Sequence, residues 1–182
     1  MEMSNAQLVP ASAEETWKAL NDPAVLKECI PGCESFERVS ENEYALAMTA
    51  NVGPVNAKFK GRMKLEDVDP PRSYRLVFEG QGGSAGFAKG SATVTLSPDP
   101  NGTKISYTVH AQVGGKLAQI GSRLIDGAAK KTANDFFGAL VAGLGGTPKP
   151  VPQAPRPTGK TNVWFWVAVG IVLVVLLYFL FR

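Results

Sequence analysis

Between residues 36 and 113 apolar and polar positions alternate with a period of two, in runs broken by turn residues. Such alternation sends successive side chains to opposite sides of a strand. Phe36 to Val39 and Tyr44 to Asn51 flank the polar turn Ser40-Glu41-Asn42. A long run from Val55 to Val68 is entered through Gly53-Pro54 and ended by Asp69-Pro70-Pro71. Tyr74 to Gly80 sets Tyr74, Leu76 and Phe78 against Arg75, Val77 and Glu79. Gly86 to Leu96 and Lys104 to Val113 then read as a hairpin around Pro98-Asp99-Pro100-Asn101-Gly102. Strands at this spacing predict an antiparallel meander.

The flanking segments carry other signals. Residues 2 to 9 predict a first strand closed by Pro10. Ser12-Ala13-Glu14-Glu15 has the form of a capping box and predicts a short helix to about Leu20, with Trp17 and Leu20 on one face. Asp22-Pro23 supplies an N-cap and an N1 proline for a second helix, Ala24 to about Cys29. After the strands the period becomes helical: Leu117, Ile120, Leu124, Ala128, Phe136, Leu140 and Leu144 share a stripe, predicting one long helix ended by Gly145-Gly146. This order of elements is α+β, and a strongly curved antiparallel sheet wrapped around a long C-terminal helix would leave a cavity between them.

The strand faces turned towards that helix carry no charge. They contribute Met48, Phe59, Gly61 and Met63, then Leu76 and Phe78, then Ala88, Gly90 and Ala92, then Tyr107 and Val109. Leu117, Ile120, Gly121, Leu124 and Ala128 face them from the helix. Small residues in such a set either let backbones approach closely or leave space. An apolar lining with few polar groups has the character of a ligand pocket, and Met48 and Met63 suit one that adapts to its guest. These residues are the candidate lining, and Cys29, Ile30, Pro31, Gly32 and Cys33 are candidates for the cavity mouth or a partner contact.

Charge and hydropathy divide the chain of 182 residues into domain and tail. Residues 1–146 carry 15 Lys/Arg against all 16 Asp/Glu, a formal charge of −1, while Lys149, Arg156, Lys160 and Arg182 follow without any acid. A folded domain with no basic excess does not read as a nucleic-acid binder. Residues 147–162 hold five prolines and predict an extended linker, spanning up to roughly 50 Å at ~3.1 Å per residue. The 19 residues from Val163 to Phe181 carry no charge, and as a helix they would be roughly 28 Å long, close to the hydrocarbon thickness of a bilayer. Trp164 and Trp166 at one end and Tyr178 near the other suit the membrane interfaces. Basic residues before the span, and no signal-peptide pattern at the N-terminus, predict a single-pass protein of the cytoplasmic membrane with its N-terminal domain in the cytoplasm.

Catalytic patterns are missing from the sequence. The one histidine, His110, alternates with Thr108 and Gln112 and is expected on the outer face. Gly80-Gln81-Gly82-Gly83-Ser84-Ala85-Gly86 joins two strands and reads as a flexible hairpin rather than a phosphate loop. Two thiols with no nearby histidine make a poor metal site, and Cys29 and Cys33 read as small apolar residues. The expectation is a protein without catalytic residues or a bound metal.

Several motifs together resemble a known family. Cys29-Ile30-Pro31-Gly32-Cys33-Glu34, Gly53-Pro54-Val55 followed by Phe59-x-Gly61, Asp69-Pro70-Pro71, Gly90-x-Ala92 and the run Val113 to Gly121 are similar to the carbon monoxide dehydrogenase G-subunit (CoxG) family of the SRPBCC, or START-like, superfamily. The resemblance covers about residues 1–146, and the proline linker and apolar tail resemble its membrane-anchored members. It implies a helix-grip fold with a deep hydrophobic cavity. It also implies partnership at the membrane with a molybdenum hydroxylase of the carbon monoxide dehydrogenase type, and a quinone, menaquinone or ubiquinone, as the guest. The alternatives are a lipid-binding or transfer module without a redox partner and a START-like cyclase or hydrolase.

Overall fold

Seven antiparallel strands make one open sheet, and a computed structural model describes it over residues 1–146. The linker at 147–162 and the span expected at 163–182, with Trp164, Trp166 and Tyr178, lie outside the described residues. Among those described, no helix is long and apolar enough to cross a membrane.

The chain opens with β1 (Glu2–Val9), α1 (Ala13–Leu20) and α2 (Pro23–Cys29). Six strands follow: β2 (Cys33–Ser40), β3 (Glu43–Val52), β4 (Val55–Asp69), β5 (Ser73–Gln81), β6 (Phe87–Asp99) and β7 (Gly102–Gly114). The helices α3 (Lys116–Gln119) and α4 (Ser122–Gly143) complete the domain. The sheet order is β1-β7-β6-β5-β4-β3-β2, a six-strand meander with β1 returned beside β7.

Local chemistry starts each N-terminal helix where the sequence places it. Ser12 Oγ accepts from the Glu15 amide at 3.2 Å, and the Glu15 carboxylate accepts from the Ser12 amide at 3.0 Å, closing the capping box. Asp22 Oδ1 accepts from the Ala24 amide at 2.9 Å, ahead of a helix whose first residue is Pro23.

Two expectations about elements need correction. The long C-terminal helix is α4, and the turn expected to begin it is a separate short helix, α3. Gly121 takes φ +90°, a conformation that interrupts the helix, so a single turn precedes the 22 residues of α4. The apolar spacing Leu117, Ile120, Leu124 runs straight across the break, which is why periodicity could not reveal it. The stretch Cys29 to Cys33 is only partly loop, since Cys29 ends α2 and Cys33 begins β2. The glycine-rich β5–β6 connection holds one 3₁₀ turn, Gly83–Ala85, closed by a 2.7 Å bond from the Gly82 amide to the Gly86 carbonyl.

Register gathers the inward residues into rows across the sheet. One row runs Asn5, Tyr107, Val94, Tyr74. The next runs Met3, Val109, Ala92, Leu76, Leu65, and the next Ala111, Gly90, Phe78, Met63, Tyr44. The last runs Val113, Ala88, Gly80, Gly61, Leu46, Phe36. A slip of one residue in any ladder would turn a strand's apolar set to solvent, so burial of one face pins the pairing.

The core sits against the first of these rows. Val94, Tyr74, Tyr107, Leu96 and Ile105 pack with Val9, Leu20 and Leu26 and with Phe137, Leu140 and Val141 near the end of α4. Tyr107 stacks on Phe137 with centroids 5.2 Å apart, and Trp17 meets Tyr74 edge-on at 5.5 Å. Full burial of such side chains contributes roughly 1.5–3 kcal/mol each, which concentrates the stabilising energy at this end of the sheet.

Candidate functional site

Burial falls row by row along the strands. In the Tyr74 row the three apolar residues are buried; in the next, Leu65 and Ala92 are buried, whereas Leu76 and Val109 are half-buried. In the following row only Tyr44 is buried, and Met63, Phe78, Gly90 and Ala111 are half-buried. In the last row Phe36 alone is buried, with Leu46, Gly61, Gly80, Ala88 and Val113 half-buried, as are Met48 and Phe59 beyond it. The same inner face therefore passes from a packed core to an apolar surface open to solvent, without a charged side chain in these rows.

The first turns of α4 stand over this open end. Leu124 is 50% exposed, Ile125 and Ala128 are half-buried, and nothing lies within 4 Å of where a Cβ on Gly127 would sit. The β3–β4 turn reaches across to this helix, with a Cβ on Gly53 falling 3.4 Å from Leu124 Cδ1. At the β5–β6 connection the Phe59 ring covers Gly82, and Leu117 is buried on α3 while Ile120 is half-buried and Gly121 exposed.

The small residues of the candidate lining have different reasons to be small. A Cβ on Gly61 would lie 2.5 Å from the Glu79 carbonyl oxygen. A Cβ on Gly90 would collide with the His110 carbonyl and stand 2.8 Å from Ala111 Cα. Both glycines let neighbouring strands close on each other, so their smallness leaves no hole. Gly80, also on the inner face, is different: a Cβ there would meet nothing nearer than 3.9 Å. Tyr107 belongs to the packed end, where its hydroxyl is buried and makes no hydrogen bond among the described residues. Burial raises the pKa of that hydroxyl, and the neighbouring Asn5 side chain offsets part of the rise.

The segment from Cys29 to Cys33 is locked beside Met48. Gly32, at φ +71°, accepts from the Thr49 amide at 2.9 Å, and Cys33 pairs with Met48 in the β2–β3 ladder. Thr49 Oγ1 donates to Glu34 at 2.9 Å and Lys58 pairs with the same carboxylate at 2.6 Å; these bonds, Lys58 first, hold Glu34 below the usual carboxylate range. Cys29 is 6% exposed and part of the core, so it is withdrawn from any partner, whereas Ile30, Pro31 and Cys33 are half-buried. Burial raises the pKa of both thiols. Among the described residues no cluster of three metal-ligating side chains occurs, and His110 lies on the outer face, 3.9 Å from the Glu2 carboxylate.

That outer face holds a concavity of its own, about 710 Å³, whose lining mixes Arg62, Lys64, Arg75 and Lys89 with Glu43 and Glu79. The sequence announced it only as an alternation of basic residues along β4.

A family profile described as the G subunit of carbon monoxide dehydrogenase (CoxG) matches residues 7–145. The crystal structure of a conserved protein from Geobacillus kaustophilus is 33% identical, with a TM-score of 0.74 over 80% of this chain and 95% of that one. A protein from Chromobacterium violaceum shares the fold at 15% identity and a TM-score of 0.60, over 78% of this chain and 95% of that one. One from Thermus thermophilus does so at 16% and 0.59, again over 78% and 95%. Comparison with curated proteins found no match.

Proposed function

Because this chain belongs to the carbon monoxide dehydrogenase G-subunit (CoxG) family, we propose that it is a non-catalytic accessory subunit of a molybdenum hydroxylase of the carbon monoxide dehydrogenase type. In this reading its domain carries a quinone, menaquinone or ubiquinone, in the apolar groove between the sheet and the first turns of α4. Residues 163–182 tether the domain to the cytoplasmic membrane, and the linker gives it reach between bilayer and enzyme. Electrons released by the hydroxylase then pass through the guest to the respiratory chain.

The observation that carries the reading is the gradient of burial along one uncharged face. An apolar surface left half-exposed beside a packed core loses hydrophobic stabilisation that a guest would restore. A quinone matches the groove in kind, since its isoprenoid chain needs apolar walls and its ring needs few polar partners.

The test is native mass spectrometry of the detergent-purified full chain, with extraction and identification of the bound lipid. A quinone present in near-stoichiometric amount supports the reading, and its reduction when the hydroxylase and its substrate are added completes it. A chain that purifies without quinone, takes none up from micelles and leaves the hydroxylase's electron transfer unchanged refutes it.

A further inference from the structure

Charge is distributed unevenly between the two ends of the strands. At the end that holds the packed core, residues 10–15, 41–42, 67–72 and 98–104 carry six acids and two cations. At the open end, residues 30–33, 51–57, 81–88 and 113–124 carry no acid and two cations, Lys116 and Arg123. Between the ends the charges of the outer sheet face cancel across strands, with Glu43 opposite Lys64 and Glu79 opposite Arg62 and Lys89. The other acids bordering the open end are matched too. Glu28 follows Lys27, Glu34 pairs with Lys58, and Asp126 lies one helical turn from both Arg123 and Lys130. Lys116 and Arg123 are exposed, and neither pairs with a carboxylate among the described residues.

Helix stability does not account for these two cations. Lys116 opens α3 and Arg123 is the second residue of α4, where the partial positive charge of a helix start favours acids. The chain follows that preference in α1, whose first turn holds Glu14 and Glu15, and reverses it here. Beside Arg123, Leu124 is half in solvent, and the β3–β4 turn next to it presents exposed Pro54 between the half-buried Val52 and Val55. The open end thus joins unpaired cations to apolar side chains left in water. An interface of anionic headgroups over hydrocarbon satisfies both at once.

We infer that the open end docks on an anionic lipid surface, with Lys116 and Arg123 among the headgroups and Leu124 and the β3–β4 turn reaching the acyl boundary. The six acids at the far end are repelled by the same surface, so the charge asymmetry also orients the domain. The chain that follows the domain is long enough to allow it. Gly146 abuts Pro10 at the acidic end, and the 22 residues of α4 separate the two ends by about 33 Å at ~1.5 Å per residue. Residues 147–162, drawn out, cover up to roughly 50 Å. A tether fixed at the acidic end therefore still lets the open end reach the bilayer. The inner face opens on this side, so docking makes groove and hydrocarbon continuous. The docking rests on the chemistry of this end; that a quinone passes through it rests on the proposed function.

The test uses the full chain with Cys29→Ser and Cys33→Ser, reconstituted in vesicles that carry a quencher on the lipid acyl chains. One environment-sensitive fluorophore is placed at Asn56→Cys, at the open end, or at Asn101→Cys, in the β6–β7 turn; both side chains are exposed. On phosphatidylcholine vesicles containing phosphatidylglycerol, the label at position 56 should be quenched and the label at position 101 should not. That quenching should be lost in K116E/R123E, on phosphatidylcholine alone and at high salt. It should be kept in K18E/K104E, which reverses two exposed cations elsewhere. Equal thermal melts show that both reversed chains are folded. No quenching at position 56 while the lipid extract still holds quinone overturns the docking and leaves the proposed function standing. Quenching that follows the charge in a chain without quinone keeps the docking and sinks the guest. Equal quenching at both positions means that the tether alone brings the domain to the bilayer, and overturns the inference. Quenching indifferent to K116E/R123E, with hydroxylase binding lost in that variant, overturns it in favour of a protein partner at this end.

Discussion

Gly80 and Gly90 sit in adjacent rows of the same inner face, yet alanine at each should move stability in opposite directions. At Gly90 the new Cβ would collide with the His110 carbonyl, with Ala111 Cα at 2.8 Å and Phe78 Cζ at 3.0 Å. The main obstacle is the backbone of β7, fixed in its ladder, so relief requires the strands to separate. The cost should reach the upper part of the ~1–3 kcal/mol typical of overpacking. At Gly80 the nearest atoms are carbonyl oxygens at 3.9 and 4.0 Å, an ordinary contact. Removing a glycine from a strand interior should there gain about 0.5–1 kcal/mol. The two variants then differ by about 2–4 kcal/mol, and at roughly 4 °C per kcal/mol for a domain of this size they should melt about 8–16 °C apart. Circular dichroism melts of the detergent-purified chain measure the difference, with Gly80→Ala above wild type and Gly90→Ala below it. On the proposed function, the ring of Gly80→Phe should compete with the guest for the groove, and quinone in the lipid extract should fall. A Gly90→Ala variant as stable as wild type would refute the assignment of that glycine to strand approach. Gly80→Phe retaining its full guest would refute the groove.

Other expectations are quickly checked. Ser12→Ala should cost about 1 kcal/mol in chemical denaturation through loss of the cap. The Ser12 amide and then its hydroxyl hold Glu15 below the ordinary glutamate range. A lowered folded-state pKa contributes stability above the unfolded value that is lost as pH falls through the folded value, so wild type and Glu15→Gln should converge in acid. Deleting residues 163–182 should move the domain to the soluble fraction; a truncated chain that still pellets with membranes at high salt would argue against a tail anchor. Because burial raises both thiol pKa values, native protein should react slowly with alkylating reagents near neutral pH. Cys29→Ser with Cys33→Ser should keep the guest, and its loss would assign the thiols a role in binding.

What could be read from the sequence was local or strictly periodic. The Ser12–Glu15 box and the Asp22-Pro23 start satisfy their own amides within three residues, so they form whatever the rest of the chain does. Alternation put the inward residues on one face, because a strand offers only two. The break at Gly121 escaped notice because the apolar stripe of α3 is in phase with that of α4. The roles of Gly61, Gly80 and Gly90 escaped for a different reason. All three are the same residue on the same face, and only the approach of β5 to β4 and of β7 to β6 separates a glycine that admits a neighbouring backbone from one with room for a Cβ. The alternation Lys58-x-Lys60-x-Arg62-x-Lys64 was in plain sight, but only the register shows Glu43 opposite Lys64 and Glu79 opposite both Arg62 and Lys89. Folding pairs these charges across neighbouring strands on one face of β4 and leaves its other face uncharged, so a run that is one-signed along the chain becomes mixed in the sheet.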